Sequence, residues 1–284
     1  MNAPRESMEE SRVARDEALR IEREMRLNDP RLLNSTVAVV LERDGRPWQH
    51  GTGTLFRFGH LSFLVTAGHV VRAADQYSLY LVGASERCIP LKGQRIYTSG
   101  EQDDLFDLAI WKLEDETIEG LGACTYLRQI DVSPADDLGP DDYFLTGFPT
   151  ENADTDHERG GVQGLGRLTF FTSIFDGDAS GLPNYRSDCH LLLSCSDDKI
   201  SLNEAAFPAK LNGISGCAVW RSFASGPQRR WQAGRARIVG VQTSTYRNHS
   251  IIKATRWNNV GKILYEKFPE LRGSLNLLFP TKPS

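Results

Sequence analysis

Leu211-Asn212-Gly213-Ile214-Ser215-Gly216-Cys217-Ala218-Val219-Trp220 sets a small hydroxyl residue between two glycines and then runs into an apolar segment. Gly213 and Gly216 let the backbone turn sharply around Ser215 with few side chains in the way. A turn of this kind aims the backbone N–H groups of Gly213 and Ser215 at one point, which is what an oxyanion hole requires. The same residues also suit an ordinary hairpin loop, so the reading is decided by what lies upstream.

Upstream, strand signals dominate. Residues 36–41, 53–58 and 62–66 read as strands, with turns at Asp44-Gly45 and Gly59-His60. Strand patterns continue over 76–82 and 88–91 and in the apolar run that Asp107 enters. A second set opens with Asp142-Tyr143-Phe144-Leu145-Thr146-Gly147-Phe148-Pro149 and continues over 167–175, 189–195, 218–221 and 238–245. Short strands at regular intervals, without strand–helix alternation, predict an all-β sandwich or barrel and disfavour a parallel α/β sheet. Residues 114–141 read as a linker between two halves, and 150–163 and 176–188 as loops. Residues 257–268 read as a closing helix with Val260, Ile263, Leu264 and Phe268 on one face. Residues 5–27, rich in Glu and Arg, read as a helix with a thin apolar stripe that lies loosely on the domain or serves as a regulatory arm for a protein partner.

Bulk composition bounds the function. The chain has 284 residues, 40% of them hydrophobic, enough for one large or two small cores. A net charge of −4 argues against a general nucleic-acid binder. No apolar run reaches membrane-spanning length, and the charged N-terminus has no signal-peptide core, so the expected location is cytoplasmic, with no membrane association. The five cysteines are scattered and form no C-x-x-C pair. Neither a zinc site nor a disulfide framework is expected, and no metal or cofactor is called for.

Three side chains stand as candidates for the chemistry: His69, Asp107 and Ser215. A serine hydroxyl is a weak nucleophile and needs a base beside it. An imidazole serves near neutral pH, and a carboxylate holds it in the useful tautomer. His69 follows a strand beside Gly68, and Asp107 stands at a strand entrance between Phe106 and Leu108. His50, His60, His157, His190 and His249 are rival bases, and Asp103 and Asp104 rival carboxylates.

These residues resemble the trypsin-like, chymotrypsin-fold serine peptidases, in particular bacterial-type intracellular members. Thr66-Ala67-Gly68-His69-Val70 is similar to the block around that family's catalytic histidine, and Asp107-Leu108-Ala109-Ile110 to the block around its aspartate. Gly213-Ile214-Ser215-Gly216 is similar to the block around its nucleophile. Gly53-Thr54-Leu55 and Gly147-Phe148-Pro149 resemble further family strands, and the order and spacing of the blocks agree. The resemblance covers roughly residues 35 to 268. It implies two six-stranded antiparallel β-barrels with the triad between them, His and Asp from the first and Ser from the second. The expected organisation is a helical extension over 1–33, barrels over 34–131 and 132–253, and a C-terminal helix and tail over 254–284.

The resemblance implies a serine endopeptidase acting on proteins or peptides through an acyl-enzyme, open to gating by a partner or ligand. The alternative is a binding or scaffold module with vestigial chemistry. Ile214 stands where zymogen-type members carry Asp, so activation by a freshly cut N-terminus is not expected. Cys217 reads as a structural residue. By the same resemblance the substrate pocket falls at Ala209, Lys210, Gln242, Thr243 and Ser244. These include no acid, which disfavours a strict Arg or Lys preference.

Overall fold

The computed structural model describes residues 20, 23–25, 29–84, 86–98, 105–133, 142–156, 161–195, 211–222, 234–246, 248 and 250–275. β1 (Thr36–Arg43) and β2 (Arg46–Phe58) form a hairpin around Asp44 and Gly45, which hold φ of 54° and 70°. Two successive positive φ values match the right-handed twist of the flanking strands, and Asp-Gly supplies them at low cost. β3 (Leu61–Ala67), β4 (Leu79–Val82), β5 (Cys88–Pro90), β6 (Gly93–Tyr97) and β7 (Leu108–Leu113) complete an antiparallel sheet of order β5-β4-β1-β2-β3-β7-β6. Its two edges, β5 and β6, are joined by Leu91 and Lys92 alone. So short a link spans only about 10 Å, so the edges lie close together and the sheet is rolled on itself. Leu91 N–H donates to Leu79 O (2.9 Å) on one edge, and Glu114 N–H to Lys92 O (3.2 Å) on the other.

The second sheet contains β8 (Asp142–Gly147), β11 (Leu168–Thr172), β12 (His190–Ser194), β13 (Ala218–Ser222), β14 (Arg237–Tyr246) and β15 (Ile251–Arg256), in the order β11-β8-β13-β14-β15-β12. Its edges also meet. An antiparallel bridge joins Ile174 to Leu193, Phe175 N–H donates to Leu192 O (2.9 Å), and Ser194 N–H donates to Ser173 O (3.0 Å). β9 (Ala153–Asp156) and β10 (Gly161–Leu165) form a separate hairpin.

Side-chain alternation sorts most of these strand residues into three large cores, with a small fourth cluster at Ala38, Val40, Val82 and Phe148. Val37, Val39, Leu64, Ala109 and Trp111 point inside the first sheet. Tyr143, Leu145, Val219 and Ile252 point inside the second. The intervening residues Phe63, Val65, Ile110, Phe144 and Trp220 face a third core between the sheets. α1 (Gly68–Arg72) follows β3, α2 (Asp115–Leu121) follows β7, and α3 (Trp257–Lys267) packs over that third core. Trp257, Val260, Leu264 and Phe268 are buried there, and Ile263 packs against the cluster.

The all-β expectation holds, with seven strands in the first sheet where six were expected. The expected linker over 114–141 contains α2, and Leu127 is buried and bridged to Phe56. The expected loop over 150–163 contains the β9–β10 hairpin. β6 and β15 were not anticipated. β15 carries Lys253 in mid-strand, and that side chain is buried because its Nζ donates to Asn184 O (3.2 Å). Most of residues 5–27 lies outside the described residues. Its described end is not loose: Met25 is buried in the third core beside Leu32. Arg31 then pairs with both Asp29 and Asp131.

Candidate active site

The loop before β13 is shaped by its two glycines. Gly213 and Gly216 hold φ of 91° and 93°, a region that side-chain-bearing residues avoid. A Cβ on Gly213 would fall 2.7 Å from both Phe148 O and Thr150 Oγ1. A Cβ on Gly216 would overlap Thr66 Oγ1 and Thr52 O and lie 2.9 Å from Ala67 N. The loop thus crosses the end of β3 at the point where α1, which carries His69, begins. Ser215 is half-buried.

Hydrogen bonding inside the loop is selective. Ile214 N–H donates to Leu211 O (3.4 Å), Gly216 N–H to Gln242 O (2.8 Å) and Cys217 N–H to Ile214 O (3.0 Å). Among the described residues the amides of Gly213 and Ser215 have no acceptor. The two donors named from the sequence are therefore both left available.

Thr52, on β2 of the first sheet, holds this loop of the second. Its N–H donates to Ser215 O (2.8 Å), and its hydroxyl donates to Gly213 O (2.8 Å). The hydroxyl also accepts from Phe148 N–H (3.0 Å), and Thr66 Oγ1 donates to Thr52 O (2.6 Å). Sequence reasoning missed Thr52 while singling out Gly53-Thr54-Leu55 beside it. The only available signal was its place between Gly51 and Gly53, which leaves a small polar residue in close-packed surroundings.

His69 and Asp107 meet. The carboxylate accepts from His69 Nδ1 at 2.7 Å through Oδ2 and from His69 N–H at 2.8 Å through Oδ1. With Nδ1 donating, the neutral ring carries its lone pair on Nε2. Arg72, one turn further along α1, donates to Asp107 Oδ1 at 3.1 Å. Asp107 itself sits at φ 44°, unusual for a residue other than glycine and tolerated by Asp. Its own carbonyl accepts from Gly68 N–H (2.6 Å).

The other candidates are placed as follows. His60 is exposed. Burial and the neighbouring His69 push the His50 imidazole below its ordinary value. His190 is fully buried and has both ring nitrogens engaged. His157, His249, Asp103 and Asp104 lie outside the described residues. Cys217 is buried, and desolvation pushes its thiol far up, so it stays protonated and unreactive. All five cysteines are free thiols.

Of the expected pocket, Ala209 and Lys210 lie outside the described residues. Gln242 and Thr243 are buried on β14 and Ser244 is half-buried. Gln242 Oε1 and Nε2 and Thr243 Oγ1 have no hydrogen-bond partner among the described residues. Among the described residues no three His, Cys, Asp or Glu side chains are gathered as a metal requires. No described helix is long and apolar enough to cross a membrane.

No protein-family model matches the chain, and no curated protein matches it by sequence. Among solved structures, one from work on the disordered VPg protein of Sesbania mosaic virus is similar over 80% of this chain and 87% of its own. Its TM-score is 0.46 and its identity 14%. A serine endoprotease from Yersinia pestis is similar over 88% of this chain, with a TM-score of 0.47 and 15% identity. This chain spans 65% of the length of that endoprotease chain.

Proposed function

We propose that the chain is a serine endopeptidase. One observation carries the reading. An imidazole oriented by a carboxylate at 2.7 Å lies on the helix whose start is crossed by a loop in which, among the described residues, the Gly213 and Ser215 amides have no acceptor. Ser215 attacks a peptide carbonyl while His69 Nε2 takes its proton. The two amides receive the oxyanion, and such donors contribute roughly 3 kcal/mol each. His69 then gives its proton to the leaving amine, and water, activated by the same ring, releases the acyl group. The half-buried carboxylate steadies the imidazolium formed in between. A protein or peptide is the substrate in this reading, and the steps use only these side chains and water.

Arg72 favours a second reading. Its guanidinium shares the Asp107 carboxylate with His69, and a carboxylate already paired with a cation steadies an imidazolium less. A vestigial or partner-gated site has this character. A fluorophosphonate probe separates the readings, because it labels only an activated serine. Labelling of the wild type and not of Ser215→Ala is the expected result. An unlabelled wild type overturns the proposal in favour of the second reading.

A further inference from the structure

Three consecutive carbonyls lead up to the acidic side chain of the site, and each is claimed by a different donor. His190 Nε2–H donates to Leu105 O at 2.5 Å, Thr255 Oγ1–H to Phe106 O at 2.6 Å, and Gly68 N–H to Asp107 O at 2.6 Å. The first two donors belong to β12 and β15, neighbouring strands of the second sheet, where His190 pairs with Thr255 in register. The acceptors belong to the segment entering β7 of the first sheet. His190 and Thr255 are both fully buried. The ring of His190 is fixed from its other side as well, because Nδ1 accepts from Arg186 N–H at 3.0 Å. Asp107 holds a left-handed φ of 44° at the end of this run. A residue in that region persists only when its surroundings over-determine it, and these bonds do so.

We propose that His190 and Thr255 are positioning residues that hold Asp107 in its left-handed conformation and thereby aim its carboxylate at His69. This rests on the reading of His69, Asp107 and Ser215 as catalytic. Neither residue touches substrate. Each acts through a backbone carbonyl of the Asp107 segment, so that packing of the second sheet sets the geometry of the acid carried by the first. His190 is then not a rival base. Both its nitrogens are committed, and it has no lone pair to offer a nucleophile.

The test uses the full chain and three substitutions. His190→Gln keeps a donor near the Nε2 position, His190→Asn keeps only an acceptor near Nδ1, and Thr255→Val keeps the shape and loses the hydroxyl. With a labelled protein substrate, His190→Asn and Thr255→Val should lower kcat about 10- to 100-fold with KM nearly unchanged, since misplacing a catalytic group by 1 Å costs about 10²-fold. His190→Gln should recover most of that loss. In isotope-labelled protein, the low-field Nδ1–H resonance of His69, assigned by its loss in His69→Gln, should weaken or shift in the two damaging variants and persist in His190→Gln. If folded His190→Asn and Thr255→Val keep the wild-type resonance, the proposal is wrong. Equal damage from Gln and Asn at position 190 also overturns it, because a merely space-filling role predicts that outcome. The resonance needs no turnover. A wild type that fails to react with fluorophosphonate defeats the peptidase reading, while the resonance still decides whether the clamp exists.

Discussion

The loop carrying Ser215 and the segment carrying Asp107 are built in opposite ways from similar parts. The Ser215 loop leads into the second sheet but is gripped by the first, through the backbone and hydroxyl of Thr52. The Asp107 segment leads into the first sheet but is gripped by the second, through His190 and Thr255. Each sheet thus holds the loop that carries the other's candidate residue, and the candidate site is assembled only when both are docked. The grips differ in kind. Thr52 uses a small hydroxyl and an amide that do not titrate in the physiological range. His190 uses an imidazole that must be neutral, because its Nδ1 accepts from the Arg186 amide.

The largest effect should come from breaking what the second grip aims. Asp107→Asn keeps the shape but replaces an acceptor-only group, so His69 is no longer held in the tautomer with Nε2 free. A fall in kcat of about 10⁴-fold is expected, measured on the labelled protein substrate, with the fold unchanged by circular dichroism. A loss under tenfold would mean that Arg72 has already taken the carboxylate out of the reaction. Breaking the other grip should cost less. Thr52→Val removes the bonds to Gly213 O and from Phe148 N–H while leaving the backbone N–H on Ser215 O. The expected loss is about 10²-fold in fluorophosphonate labelling rate, the scale of one oxyanion donor misplaced. An unaffected rate would show that the glycine φ values alone shape the loop.

The contrast between the grips also marks what a sequence discloses. The blocks around His69, Asp107 and Ser215 are each contiguous in the chain, so each candidate is readable one block at a time. The bracing is not local. Thr52 meets Gly213, and His190 meets Leu105, across long separations in the chain. Thr52, Thr255 and His190 are side chains that any buried strand accommodates, and nothing in their flanks marks the partner. The left-handed φ of Asp107 is equally hidden, since Asp occurs readily in ordinary strand entrances. The strand pattern was legible wherever apolar alternation was clean. It was not legible in β15, where Lys253 interrupts the alternation and is buried through a bond to Asn184 O.

Acid should separate the two grips with the smallest effect of the series. Burial, with a contribution from the nearby Lys253 ammonium, holds the His190 imidazole below its ordinary value of 6.5, and Asp188 and the carbonyl of Leu105 oppose that only in part. The ring of Tyr185, 6.0 Å away, brings no charge. Protonation would set a new Nδ1–H against the Arg186 N–H, donor against donor. The unfolded chain takes up a proton below pH 6.5 that the folded chain refuses. Stability is therefore complete above that pH and declines as pH falls, by at most about 1.4 kcal/mol per pH unit for each such histidine. His50, also pushed down by burial, adds a second contribution of the same sign. Urea midpoints measured from pH 7.5 to 5 should fall for the wild type and fall less steeply for His190→Gln, whose amide does not titrate. The Thr52→Val variant should keep the wild-type slope, because neither group of that grip takes up a proton in this range. Parallel slopes for wild type and His190→Gln would place the acid sensitivity at His50 and leave the two grips alike in their response to pH.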